Sequence, residues 1–400
     1  MGRSASLVLV SPSGELLGML PPVELLCPYW PESADVVAKV RECFAARVVV
    51  LRLLSVEPAR KSGGFVTYLA ELAGGVPSVE PLPIPEELGA RARRPDPKRM
   101  PWAERGGPAQ TLTWASGVLG GDFEAIQQRT WNLSSLWRLQ PASGADPIWL
   151  KQAPHFMRGE SAVLRWLNGA VRGSAPRLFA CDDQGRSLLA HVEGVDLYDA
   201  CVEMRKQING RLHQIQCAGA DAVAELLALG VPDWRGTKLG ADIRKKLMAW
   251  SPSYPELERL LRSLDEQLER LDDCALPATL VHGDNHPGNA RGSHRGVTLL
   301  DWGEAFVGSP VTDLLCAIGG LSEADSAPLK AAWCESWKRV APDSQPALAL
   351  DIAPFVGAML GAATYAHFLA QIEESEWPYH RDDVPSCLQA AKELLTRVSS

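Results

Sequence analysis

Residues 280–290 read Leu-Val-His-Gly-Asp-Asn-His-Pro-Gly-Asn-Ala, and residues 297–303 read Val-Thr-Leu-Leu-Asp-Trp-Gly. The first stretch opens as a short apolar strand, Thr279 to His282, which delivers Gly283 and Asp284. Asn289 follows in the same loop, and the second strand ends at Asp301. Pro310-Val-Thr-Asp313-Leu314 comes next. Gly283 and Gly288 allow a tight loop that aims side chains inward. The spacing lets Asp284, Asn289 and Asp301 converge. Phosphoryl transfer needs such a set. One carboxylate orients the attacking hydroxyl and accepts its proton, and magnesium takes hard oxygen ligands from a carboxylate, an amide and the nucleotide phosphates.

Outward from this segment the chain divides by composition. Residues 6–10 and 15–20 read as two strands around Ser11-Pro12-Ser13-Gly14. A helix over 34–45 and strands at Val48–Leu54 and Phe65–Leu72 complete a small α+β unit, residues 1–76. Eight prolines then fall between Pro77 and Pro108. That density predicts a linker over 77–114 without regular helix, with Arg91, Arg93, Arg94, Lys98 and Arg99 solvated. Strands are expected at 130–139, 148–152, 177–181 and 187–192, with a helix over 160–167. From about 197 onward the pattern is helical, at 197–216, 218–228, 240–250, 255–272, 311–320, 326–339, 346–372 and 384–398.

The set His282-Gly283-Asp284, Asn289, Asp301-Trp302-Gly303 and Pro310-x-x-Asp313-Leu314 resembles the signature of the aminoglycoside phosphotransferase family, which shares the protein-kinase-like fold. The resemblance covers about residues 115–400. It implies an α+β, two-lobed kinase-like fold, with a β-rich lobe over 115–192 and a helical lobe over 193–400, preceded here by the small N-terminal domain. It implies Lys151 on a strand as the ligand of the nucleotide phosphates, paired with Glu160 on the following helix. It places backbone groups near His191 and Val192 against the nucleotide base. Asp284 is then the catalytic carboxylate, Asn289 and Asp301 the magnesium ligands, and His282 and Asp313 supporting residues. The implied activity is ATP- or GTP-dependent phosphorylation of a hydroxyl on a small molecule: an aminoglycoside or other antibiotic, an amino sugar or a similar metabolite. A nucleotide-binding scaffold without turnover is the rival reading. Having all of Lys151, Glu160, Asp284, Asn289 and Asp301 weighs against it.

Two departures stand out. The turn Trp131-Asn132-Leu133-Ser134, where kinases carry a glycine-rich loop, has no glycine. No H-R-D or A-P-E motif occurs, which argues against a protein kinase. The first residues, with Leu7–Val10 and Gly14–Gly18, faintly resemble the opening hairpin of a Nudix domain. The following helix lacks that family's paired glutamates, so the expected role is structural or capping.

Composition bounds the rest. The chain has 400 residues, 46% hydrophobic and 22% charged, with a formal charge of −8. That excludes a mainly disordered chain and disfavours nucleic acid as partner. No uninterrupted apolar run reaches membrane-span length, and the short run Leu7–Val10 is no secretory core, so a cytoplasmic protein without membrane attachment is expected. Nine cysteines without a CxxC pair read as reduced thiols that mostly fill core space. Trp333, Trp337, Trp377 and Tyr379 read as packing residues. Glu373, Glu374, Glu376, Asp382 and Asp383 read either as a solvated acidic loop or as carboxylates for a cationic substrate.

Overall fold

The computed structural model describes residues 2–57 and 62–398. Near-continuous apolar runs in the N-terminal region predict strands buried on both faces. Strands β1 (Arg3–Val10), β2 (Leu16–Leu25), β3 (Arg47–Glu57) and β4 (Gly64–Gly74) form one sheet in the order β2-β1-β4-β3. The pair β1/β4 is parallel and the other two pairs are antiparallel. Side chains alternate along a strand. Ala5, Leu7 and Leu9 therefore pack on the face covered by helix α1 (Ala34–Phe44), while Val8 and Val10 pack on the other. Helix α1 carries Glu42 as its sole glutamate, so the Nudix likeness of this domain finds no support.

The second face is covered by helix α2 (Glu86–Arg93), which corrects the expectation of a helix-free linker. Pro85 and Pro95 flank it, so the interval between them keeps every backbone N–H. Leu88 and Ala92 pack onto Leu51, Leu54 and Leu69. Arg99 is not solvated either: its side chain is 7% exposed and binds Glu373 at 2.9 Å. Helix α3 (Gly107–Leu119) follows.

A second sheet holds β5 (Phe123–Trp131), β6 (Ser134–Pro141), β7 (Ile148–Gln152), β8 (Leu178–Cys181) and β9 (Arg186–Ala190) in the order β5-β6-β7-β9-β8. The single strand expected over 130–139 is thus two strands meeting at Asn132-Leu133. The polar Asn132 favours the turn there. Gln127 on β5 joins the two sheets. Its side chain accepts from Val50 N at 3.0 Å and donates to Val50 O at 2.7 Å, which caps the outer edge of β3.

These elements form one compact unit, Met1–Phe156 with Phe179–His191 and Phe368–Arg381. The last segment comes from the far end of the chain. Its Tyr379 is buried in the N-terminal core, edge-on to Trp30 and Trp131. Glu373 meets the buried Arg52 at 3.7 Å. Glu376 Oε1 accepts from Leu53 N at 3.0 Å. These two carboxylates are therefore committed to the first unit, which corrects the reading of them as solvated or substrate-binding groups.

Burial, reinforced by Glu373, pushes the Glu376 carboxyl up to about 8, against the opposing pull of Leu53 N, Arg52 and Asn132. The folded chain then keeps a proton that the unfolded chain releases above about 4.5. Stability should fall as pH rises through that window, by on the order of 5 kcal/mol in all. Calorimetric melting of Glu376→Gln, whose amide does not titrate, should lose this component. An unchanged pH profile would show that Glu376 is ionised in the fold.

The second unit comprises Met157–Leu178, Val192–His367 and Asp382–Ser400. It begins with α4 (Glu160–Ala170) and continues through β10 (Val195–Asp196), α5 (Val202–Asp221), α6 (Val223–Ala228), α7 (Thr237–Leu247) and α8 (Leu257–Asp272). Then come β11 (Thr279–Val281), β12 (Ala290–Ser293), β13 (Gly296–Leu299) and β14 (Phe306–Gly308), followed by α9 (Val311–Ile318), α10 (Glu323–Val340), α11 (Pro346–Gln371) and α12 (Asp383–Val398). Leu257, Leu260, Leu261, Leu264, Leu268 and Leu271 make the buried stripe of α8. Helix α11 is long and apolar enough to cross a membrane by length and composition. Its Ala349, Ile352, Ala353, Val356, Met359, Ala362 and Ala363 are nevertheless buried within the fold. All nine cysteines are free thiols, but only Cys274 is buried, so they do not mostly fill core space as expected.

Candidate active site

Strand β11 is wholly buried and pairs with β14, which fixes where the loop after it emerges. His282 is fully buried. Its Nδ1 accepts from Asp284 N at 3.3 Å, so its Nε2 carries the proton donated to Leu300 O at 2.9 Å. One imidazole thus ties the loop carrying Asp284 to the strand end carrying Asp301. Gly283 has φ +87, and a Cβ there would lie 2.4 Å from Glu304 O, so only glycine fits.

The buried Asp313, in the first turn of α9, holds this loop from beneath. Its carboxylate accepts from His282 N at 2.9 Å, Gly283 N at 3.0 Å and Gln216 Nε2 at 2.9 Å. Burial raises its pKa, while His282, Gly283 N and Gln216 pull the other way. Sequence reading missed Gln216. It lies in the middle of α5, and nothing in its neighbourhood marks one glutamine of that helix from another.

Asp284 stands at the loop's outer side, its side chain 41% exposed. Asn289 Nδ2 donates to Asp284 O at 3.0 Å and to Asp284 Oδ2 at 2.9 Å. His286, also missed, sits inside the motif. Its Nδ1 accepts from Gly288 N at 3.0 Å, and its Nε2 lies 3.5 Å from Asp284 Oδ2. The Asp284 carboxylate is therefore held by the Asn289 amide, with the His286 imidazole beside it. Because Asn289 spends its amine on Asp284, its amide oxygen is turned to the other side.

Asp301 follows β13 with φ 60, a left-handed conformation that costs about 1–3 kcal/mol in a non-glycine residue. The elements around it hold it there. Leu300 N donates to Asn289 O at 2.7 Å, and Trp302 N donates to Glu160 Oε1 at 3.2 Å. Trp302 itself is fully buried, its ring 4.4 Å from that of His282. His282, Asp284, Asn289 and Asp313 are thus joined by hydrogen bonds, and Glu160 joins the backbone beside Asp301. Among the described residues, no three or more His, Cys, Asp or Glu side chains are grouped to hold a metal. Magnesium does not need such a group, since it keeps waters and takes phosphate oxygens beside one or two protein ligands.

In the first unit, Lys151 lies on β7 at the middle of its sheet, opposite Leu136 and Ser187. His191 follows β9, and its Nδ1 accepts from the Trp149 indole at 3.2 Å. The two units of the chain meet in sequence between His191 and Val192.

A sequence profile of the APH phosphotransferase enzyme family matches residues 135–348, over half of the chain. The chain belongs to this family. It is a phosphotransferase enzyme, and its fold is the protein-kinase-like one. An ethanolamine kinase of Plasmodium vivax superposes with a TM-score of 0.52 at 10% identity, covering 71% of this chain and 86% of that one. A type I macrolide 2′-phosphotransferase superposes with a TM-score of 0.50 at 16% identity, covering 70% of this chain and 97% of that one. No curated protein sequence gives a significant match. The β5–β6 turn of this phosphotransferase and its flanking N-terminal sheet lie outside the profile match.

Proposed function

We propose that this phosphotransferase transfers the γ-phosphoryl group of ATP or GTP to a hydroxyl of a small molecule, with Asp284 as the catalytic carboxylate. The acceptor is an aminoglycoside or other antibiotic, an amino sugar or a similar hydroxylated metabolite. The observation that carries the reading is the fixed Asp284 carboxylate. Asn289 and His286 both address Oδ2, and the exposed side chain offers its remaining oxygen to an incoming hydroxyl. Such a group orients the hydroxyl and takes its proton as the bond to phosphorus forms.

Asn289 Oδ1 and the Asp301 carboxylate are the proposed magnesium ligands, and their hard oxygens suit that ion. Magnesium bound there supplies charge neutralisation for the phosphate oxygens. Lys151 is the proposed ligand of the α- and β-phosphates, and backbone groups at His191 and Val192 are proposed to receive the base. Glu160 steadies the Asp301 turn through Trp302 N. Asp313 and His282 position the loop and touch no substrate.

The test is calorimetric titration with ATP or GTP, with and without magnesium, followed by radiolabel transfer from the γ-phosphate to a panel of hydroxylated acceptors. Magnesium should tighten binding of one nucleotide in the wild type, and Asp301→Ala should remove that gain. If Asp301→Ala keeps the full magnesium effect, Asp301 is not a ligand. If neither nucleotide binds the wild type, the proposed reaction is wrong.

A further inference from the structure

The turn between β5 and β6 occupies the place where protein kinases carry a glycine-rich loop over the nucleotide phosphates. Such a loop works through mobile backbone, and this turn is built to the opposite specification. Asn132 is 2% exposed and Leu133 is 8% exposed. Both ends of the Asn132 amide are engaged. Nδ2 donates to Glu376 Oε2 at 3.4 Å, and Oδ1 accepts from His380 Nε2 at 3.0 Å. Glu376 passes the restraint on to β3, because its other oxygen holds Leu53 N.

Trp131 adds a second anchor. Its carbonyl accepts from the Trp102 indole at 2.9 Å, and its ring lies 5.6 Å from those of Tyr379 and His380. The turn is therefore gripped by β3, by the 374–380 segment and by the Trp102 turn at once. None of these three is next to it in sequence, and two of them belong to the N-terminal region that the kinase signature does not include.

We propose that Asn132 is a positioning residue: with Glu376 and His380 it holds the β5–β6 turn in one preformed shape for the nucleotide phosphates, replacing the mobile glycine-rich loop. The N-terminal domain thereby acts on nucleotide affinity without touching the nucleotide. This rests on the proposed nucleotide-dependent function. The physical gain is preorganisation: a turn already ordered costs no ordering on binding.

The experiment measures binding of Mg·ATP and Mg·GTP, and of adenosine and guanosine, to the full chain by calorimetry. The variants are Asn132→Ala, His380→Leu and His380→Gln. Gln places a donor nitrogen near the position of the imidazole Nε2. Asn132→Ala and His380→Leu should weaken the preferred triphosphate about ten-fold and leave its nucleoside unchanged, since the turn serves the phosphates alone. His380→Gln should restore near wild-type affinity. Amide exchange at 131–134 should rise in the first two variants. If Asn132→Ala fails to fold, the His380→Leu and His380→Gln pair decides. Equal losses for triphosphate and nucleoside, or no loss in either, would overturn the positioning role while the proposed function stands. A wild type that binds no triphosphate would overturn both.

Discussion

Asp284→Asn is expected to lower kcat about 10²–10⁴-fold, the usual worth of a positioned general base, while nucleotide affinity stays near wild type. The asparagine keeps an oxygen for the Asn289 amine, so the loop geometry survives. What it loses is the basic oxygen proposed to take the hydroxyl proton. Asp284→Ala should lose at least as much activity, and it also removes one of the two bonds that hold the Asn289 amide. Asn289 then keeps only the backbone carbonyl of residue 284 as its partner, so the alanine variant should show somewhat weaker magnesium dependence as well. Steady-state kinetics on an accepted substrate, paired with nucleotide calorimetry, separates the two effects. Full activity in Asp284→Asn would remove the residue from the reaction.

Asp313→Ala should destabilise the fold by about 3–5 kcal/mol, the range for removing one partner of a buried charged network. Three donors lose their acceptor together: His282 N, Gly283 N and Gln216 Nε2. Each buried donor left unsatisfied costs about 1–3 kcal/mol. Removing a desolvated carboxylate gives some of this back. The donors outweigh that return because two of them are backbone groups that cannot turn toward water. Activity should fall even well below the melting temperature, since the same bonds aim Asp284. Chemical denaturation and kinetics at low temperature check both parts. A loss under 1 kcal/mol would mean that the loop finds other acceptors.

Much of this site was legible because its information is local. Gly283 is demanded by its own φ and by Glu304 O beneath it. Asp284 and Asn289 meet within a single loop, where spacing along the chain maps directly onto distance. The helices of the second unit follow apolar periodicity, and the leucines of α8 mark theirs at nearly every turn. Helix α2 was hidden for a similar local reason. The prolines around it dominate the composition, although they lie outside its hydrogen-bonded interval.

The buried polar contacts were invisible because nothing local encodes them. Glu376 holds Leu53 N across a separation of 323 residues, and Asn132 reaches His380 across 248. In sequence, Glu373 and Glu376 look like members of an exposed acidic run. Burial against Arg52, Arg99 and the edge of β3 turned them into structural groups. Gln127 and Gln216 tell the same story, as ordinary glutamines until a strand edge or a buried carboxylate is brought to them. The order of chemical groups along one loop and the period of each helix are properties of neighbouring residues, and so they can be read from the chain. Which polar side chain meets which distant backbone group depends on how the elements pack, and that choice exists only once the sheets and the late segment have come together.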